Sequence, residues 1–186
     1  MEEARKRFLK ETKMEPAQED IDGYIAFLHR AKIAEREKRA VDKDKLHKEL
    51  EQADLNEERK TNIKTQLSQI DDLDKFENLP LTEAMLKETQ ESEQTVAVML
   101  VSSWKFNQAL YQKYAGRVVS QQLGLEPIDA HKKFMQELST TGAYKILDPA
   151  YENLFKETNE YFNKKFEYVD KAEADKYFAS PWWLSK

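Results

Sequence analysis

The sequence predicts an all-α protein, an irregular helical bundle built around one long buried central helix at about residues 83–122. Composition supports this, because the 186 residues include only 4 Gly and 5 Pro, which leaves little material for many tight turns. A second observation is that 35% of the residues are charged, mostly in Glu-, Lys- and Gln-rich segments that favour helix. A third is the apolar run from Val96 to Val101, with no helix breaker before Gly116.

Charged and aromatic residues are distributed unevenly along the chain. Forty of the first 90 residues are charged, against 25 of the remaining 96, and 16 of the 20 aromatic residues lie at or beyond Trp104. We therefore expect residues 1–80 to form a charged front segment made of helical hairpins. One alternative is that this segment is an appendage to the rest of the chain. Residues 81–186 should form an aromatic-rich compact helical core, the two together making one structural unit.

The front segment opens with two predicted helices. Residues 2–13 favour a short helix, and Pro16 suits the first position of the next one. That second helix carries Ile21, Tyr24 and Leu28 at helical spacing.

Capping residues mark the rest of the front segment. Asp42 or Asp44 and then Asn56 can each cap a short amphipathic helix, and the two helices read as a hairpin. The acidic cluster at residues 71–77 lacks the glycine and the terminal glutamate of a calcium loop, so we interpret it as a solvated connection.

The central helix has a clear start. Thr82 can cap its first turn, and Pro80 ends any earlier helix. Because Val96 to Val101 leave no polar face, we expect this part of the helix to be covered on all sides. Beyond it, Lys105, Gln108 and Ala109 fall on the side predicted to be solvated.

The back half contains further start and stop signals. Gly124 is typical of a helix end and Pro127 of a helix start. Asp148-Pro149 predicts another helix, which carries aromatic residues up to Lys165. Asp170 can cap a last short helix that Pro181 ends. We expect Trp182-Trp183-Leu184 to fold back onto the bundle, with an intermolecular contact as the alternative.

The candidate binding site is a set of polar and aromatic side chains predicted to point inward from the central helix. A buried amide or guanidinium is costly when unpaired, so such groups need partners in neighbouring helices, in water or in a ligand. An internal hydrogen-bond network and a ligand pocket are both compatible with this pattern. The residues are Ser103, Trp104, Asn107, Tyr111, Tyr114, Arg117 and Gln121.

Several classes of protein are disfavoured. The net charge of -5, with acidic and basic residues interleaved, gives no broad positive field for nucleic acid. No cysteine is present, which excludes disulfides and thiolate sites, and we expect no metal site, cofactor or catalytic residue. The longest apolar run has six residues, far short of a membrane span. The sequence fits a cytoplasmic protein as well as an exported one whose signal has been removed.

Two functional hypotheses remain. The first is a non-catalytic helical binding or scaffold domain for a peptide or partner protein, with a chaperone-like module as one form of it. The second is a small-ligand or enzyme site in which Asn107, Tyr111, Tyr114, Arg117 and Gln121 surround an anionic substrate. A closed cavity over Asn107 and Arg117 would favour the second hypothesis, and a long open groove the first.

Overall fold

The computed structural model describes residues 2–52, 54–143, 151, 153, 157 and 167–184. Within these residues the protein is all-α, with six α-helices and one small hairpin. The helices are α1 Glu2–Thr12, α2 Gln18–Leu50, α3 Glu57–Glu77, α4 Glu83–Tyr114, α5 Ile128–Thr140 and α6 Lys171–Ala179. Strands β1 Val119–Gln121 and β2 Gly124–Glu126 pair antiparallel, and a short 3-10 helix covers Trp182–Leu184. The helix predicted from Asp148-Pro149 lies largely outside the described residues.

Contacts divide the chain into two compact units. Unit 1 comprises Met1–Tyr24 and Thr95–Lys186, and unit 2 comprises Ile25–Gln94. The boundaries fall inside α2 and α4, whereas composition alone pointed to a change near residue 80. Among the helices that the structure describes, none combines the length and apolar character that a bilayer crossing requires.

Unit 2 contains a helical hairpin of α2 and α3, as predicted. Asn56 caps α3 by accepting from the backbone N–H of Arg59 at 2.8 Å. The expected helix start at Asp42 or Asp44 is wrong, because α2 runs unbroken from Gln18 to Leu50. Ion pairs then join the two helices along their length.

The acidic cluster at residues 71–77 is not a solvated connection. It forms the last turns of α3, and Glu77 accepts from Arg36 at 2.7 Å and from Arg39 at 2.5 Å. Asp71 accepts from Lys43 of α2 in the same row. The acidic side chains therefore pair with basic side chains of α2. This pairing accounts for the many acidic residues at the end of α3 without a bound metal ion.

Unit 1 is organised around the C-terminal half of α4. This helix buries seven residues, more than any other helix described: Ala97, Val101, Trp104, Phe106, Gln108, Ala109 and Leu110. One side of it packs on α1 and α5, where the rings of Phe8, Phe106 and Phe134 meet edge to face. Residues of α6 form a second apolar cluster with Val118 and Tyr111.

Two predicted features of α4 need correction. Val96, Val98 and Met99 are exposed, so the apolar run is covered on one side only, where Ala97 and Val101 are buried. The side predicted to be solvated is partly buried: Ala109 packs in the apolar cluster with α1 and α5, and Gln108 contacts α6, whereas Gln112 is exposed. Gln108 is buried there because its side-chain amide donates to the carbonyl of Phe178 at 2.8 Å, which satisfies the buried polar group.

The central helix ends at Tyr114 and not at residue 122. Ala115 has φ 51° and Gly116 has φ 109°, which takes the chain out of the helix. A side chain at Gly116 would bring Cβ to 2.6 Å from Cβ of Asp129, so the close approach of α5 needs glycine here. Gly124 with φ 119° then forms part of the hairpin.

The C-terminal segment folds back as predicted. Asp170 caps α6 by accepting from Ala172 N at 2.8 Å. Trp183 is 1% exposed and its ring packs edge to face on Tyr24 and Trp104, at centroid distances of 5.4 and 5.2 Å. Trp182 is 37% exposed, and its ring packs edge to face on both Tyr24 and Trp183.

Candidate functional site

A cleft of about 480 Å³ lies in unit 1 over the middle of α4. Its floor comes from α4, and its walls come from α1, the β1–β2 hairpin, the start of α5 and Tyr177 of α6. Aromatic and aliphatic side chains alternate with a few polar groups, which is the usual composition of a ligand pocket. Apart from the polar atoms of the Trp104 and Tyr177 rings, the polar side chains are Arg5, Ser103, Asn107, Gln121, Gln122, Glu126 and His131.

Arg5 is the cation of the cleft. Helix α1 positions it, and its guanidinium carbon lies 5.1 Å from the centroid of the Phe106 ring, a cation–π geometry. Its Nη2 is buried and has no hydrogen-bond partner among the described residues. Burial lowers the pKa of Arg5 from its usual value, but a guanidinium remains charged at neutral pH. Arg5 therefore lines the cleft with a charged guanidinium whose buried Nη2 has no acceptor among the described residues.

His131 and Asn107 form a hydrogen-bonded pair in the cleft. Asn107 Nδ2 donates to the carbonyl of Leu125 at 3.4 Å, which turns its Oδ1 toward His131. His131 Nε2 lies 2.8 Å from that oxygen, so the network assigns the ring proton to Nε2. Burial and, to a lesser extent, the charge of Arg5 lower the pKa of His131 to about 4. The His131 ring is therefore neutral at pH 7 and adds no second positive charge to the cleft beside Arg5.

Glu126 ends β2 and is the acidic residue of the cleft. Its Oε1 lies 3.8 Å from His131 Nε2, too far for a hydrogen bond. Burial raises the pKa of Glu126, because a carboxylate loses hydration there.

Trp104 contributes a second unsatisfied donor. Its indole Nε1 is buried and, within the part of the chain that the structure describes, has no hydrogen-bond partner. Trp104 lines the same cleft as Arg5. Buried N–H groups without acceptors are rare in proteins, and two residues that carry such groups line this one cleft.

A neighbouring cleft of about 520 Å³ lies between α1 and α5, and it differs in how its cations are paired. Its two cations are paired: Arg7 donates to Glu11 at 2.7 Å, and Lys113 donates to Glu137 at 3.2 Å. It therefore offers no free charge to a ligand.

The seven residues predicted as a site do not form one constellation. Four of them line the cleft: Ser103, Trp104, Asn107 and Gln121. Arg117 and Tyr111 line a separate cavity of about 360 Å³. The helical face on which the prediction relied ends at Tyr114, so Arg117 and Gln121 are placed by the loop and the hairpin instead.

Arg117 is already occupied by protein partners. Its Nε and Nη2 each donate to Asp129 at 2.8 Å, and its Nη1 donates to the Tyr168 hydroxyl at 2.8 Å. The pKa of Asp129 is held below its usual value chiefly by this pairing. Arg117 thus fastens the loop to α5, and we assign it no ligand.

The two tyrosines are also engaged in protein contacts. The Tyr111 hydroxyl donates to Asp175 at 2.7 Å, and the Tyr114 hydroxyl donates to Glu137. Neither residue lines the cleft over Asn107.

Comparisons with known proteins give no relative. No family model matches the chain, and no curated protein and no solved structure matches it significantly. Function therefore has to be argued from the cleft itself. Among the described residues, no group of three His, Asp or Glu side chains is arranged to hold a metal ion.

Sequence reasoning missed Arg5, Glu126 and His131. Arg5 lies far from α4 in the chain, and nothing local separates it from the neighbouring Arg7. The other two depend on the hairpin, which sequence reasoning also missed. The β-branched pair Val118-Val119 followed by Gly124 was the available signal for that hairpin.

Proposed function

We propose that unit 1 is a ligand-binding domain and that its cleft holds a small molecule carrying one carboxylate. The observation that supports this most is Arg5, whose buried Nη2 has no acceptor among the described residues. A carboxylate supplies such an acceptor and forms a charge-assisted hydrogen bond with the guanidinium. Catalysis is no part of the proposal.

A single negative charge fits the cleft better than a double one. Arg5 is the only cation among the described residues that line the cleft, since His131 is neutral at pH 7. Glu126 lines the same cleft, and its carboxylate would repel a phosphate dianion more strongly than a carboxylate. The aromatic walls at Trp104 and Phe106 favour an apolar body behind the charged group.

Calorimetric titration with benzoate tests this proposal, with benzamide as its neutral analogue. We expect benzoate to bind the wild-type protein and benzamide to bind roughly tenfold to hundredfold more weakly, because a hydrogen bond to a charged group is lost. Arg5→Met should weaken benzoate binding by the same factor, since it keeps the length of the side chain and removes its charge.

Arg117→Met is the matched control, because Arg117 was the anion-binding residue predicted from sequence. We expect this variant to bind benzoate like the wild type. Equal affinity for benzoate and benzamide, or binding lost in Arg117→Met and kept in Arg5→Met, would contradict the proposal.

A second candidate is partner binding by unit 2, in line with the first hypothesis from sequence. Six large apolar side chains follow one another along the end of α3, the connection and the start of α4, and all are exposed: Leu73, Phe76, Leu79, Leu81, Met85 and Leu86. Exposed apolar side chains in such density are typical of an interaction surface. Sedimentation velocity tests a second copy as the partner: Phe76→Ser should abolish self-association, and Ile33→Ser on α2 should leave it unchanged.

A further inference from the structure

A second cavity, of about 260 Å³, adjoins the cleft in unit 1. We call it the aromatic cavity, because rings line most of it. They come from α2, α4, α6 and the 3-10 helix: Tyr24, Trp104, Tyr177, Trp182 and Trp183. No charged side chain lines it among the described residues.

The cleft and the aromatic cavity share a wall. Trp104, Tyr177 and residues 122–124 of the hairpin line both of them. Arg5, Glu126 and His131 line the cleft alone, and Leu100 lines the aromatic cavity alone. The two spaces therefore adjoin at this wall, with Arg5 on the side of the cleft and the uncharged ring of Trp183 on the side of the aromatic cavity.

The shared wall is formed by tight packing against the hairpin. The Tyr177 hydroxyl lies so close to Gly124 that a Cβ there would collide with it. Leu123 at the turn is exposed. Trp104, whose buried Nε1 has no hydrogen-bond partner among the described residues, is part of this wall.

We propose that the ligand is an amphiphilic monocarboxylate, with its carboxylate at Arg5 and a flexible alkyl tail in the aromatic cavity. This rests on the proposed function of the cleft and narrows it to a class of ligand. In this proposal the flexible tail passes between Trp104 and Tyr177 and covers apolar surface on the far side, which a rigid ring held at Arg5 does not reach. Burial of each methylene group then adds to the affinity.

The test is a titration series of straight-chain carboxylates from butanoate to decanoate, each below its micelle concentration. We expect the dissociation constant to fall about threefold to fourfold with each added methylene. The gain should end once the tail outgrows the aromatic cavity. The corresponding primary alcohols should bind more weakly by the factor that separates benzamide from benzoate.

Two variants separate the tail from the carboxylate. Leu100→Trp fills the aromatic cavity, so it should bind butanoate like the wild type and gain nothing from longer chains. Met99→Trp is the matched control on the exposed side of α4, and it should show the full chain-length dependence.

The outcomes distinguish the two proposals. If butanoate and decanoate bind with equal affinity and both need Arg5, the inference about the tail is overturned and the proposed function stands. If neither benzoate nor any chain binds, the proposed function itself fails. Decanoate that binds Arg5→Met, or Leu100→Trp, as tightly as it binds the wild type would also overturn the inference.

Discussion

Arg5 and Phe106 form a cation–π pair, with the guanidinium carbon 5.1 Å from the ring centroid. This contact covers one face of the guanidinium and leaves Nη2 buried without an acceptor among the described residues. An unsatisfied buried donor costs about 1 to 3 kcal/mol, which offsets the roughly 0.5 to 2 kcal/mol that a cation–π contact contributes. Arg5 is thus poorly explained by stability and well explained by ligand binding.

Replacing Arg5 should therefore separate stability from binding. We expect Arg5→Met to raise the free energy of unfolding by about 1 kcal/mol, because it removes the unsatisfied donor and keeps most of the apolar contact. Arg7→Met on the exposed side of α1 is the control and should change it by less than about 0.5 kcal/mol. Urea denaturation measures both, and a clear loss of stability in Arg5→Met would show that Arg5 has a structural role.

His131 should make the protein sensitive to acid. Its pKa falls from 6.5 to about 4 on folding, so the unfolded chain takes up a proton at a pH where the folded protein does not. The neutral ring therefore contributes to the free energy of unfolding, and this contribution is complete above pH 6.5. As the pH falls from 6.5 toward 4, the free energy of unfolding decreases by about 3 kcal/mol.

Urea titrations at several pH values measure the effect. The difference in unfolding free energy between the wild type and His131→Gln should shrink by that amount from pH 6.5 to pH 4. The exposed His47→Gln is the control and should track the wild type. A constant difference for His131→Gln would mean that the ring is solvated.

Glu126 should make binding depend on pH. Burial raises its pKa, so the carboxyl keeps its proton to a higher pH than an exposed glutamate does. The charged form repels an anionic ligand, so benzoate affinity should fall as the pH rises and the Glu126 carboxyl loses its proton. Glu126→Gln should bind with nearly the same affinity throughout, and a pH dependence that survives in this variant would exclude Glu126 as its source.

Substitution of Gly116 tests whether α4 ends, and α5 approaches, where the structure places them. Alanine there would combine φ 109° with a Cβ placed 2.6 Å from Cβ of Asp129, whereas alanine at Gly142, with φ 67°, meets no atom within 4 Å. We expect Gly116→Ala to cost about 3 kcal/mol and Gly142→Ala about 1 kcal/mol. Similar melting temperatures for the two variants would argue that the close approach of α5 is absent in solution.

The two terminal tryptophans should differ in their contributions to stability. Trp183→Ala removes a buried ring and should cost about 3 to 5 kcal/mol. Trp182→Ala removes a partly exposed one and should cost about 1 kcal/mol. Chemical denaturation of both variants measures the difference, and the reverse order would contradict the docking of Trp183.

Local signals were predictable from sequence, and contacts between distant segments were not. Asn56 and Asp170 were identified as caps because a cap depends on its own turn of helix. The end of α4 depends on how closely α5 approaches Gly116, and helical periodicity carries no information about that. The same holds for Gln108, whose burial requires a carbonyl from α6.

The candidate site was predictable in part for the same reason. Ser103, Trp104 and Asn107 share one face of α4, which periodicity indicates, and all three line the cleft. Arg5 and His131 reach the cleft only through the packing of α1 and α5 on α4. A charged residue on a short amphipathic helix looks solvated in the sequence, and only tertiary structure shows that its donor is buried.

The most direct test of the central claim is nitrogen-detected NMR of the arginine guanidinium groups during a benzoate titration. The Arg5 signal is identified by its absence in Arg5→Met. We predict that this signal shifts with the calorimetric dissociation constant while the Arg117 signal stays in place. A titration in which benzoate binds but the Arg5 signal does not move would contradict the account.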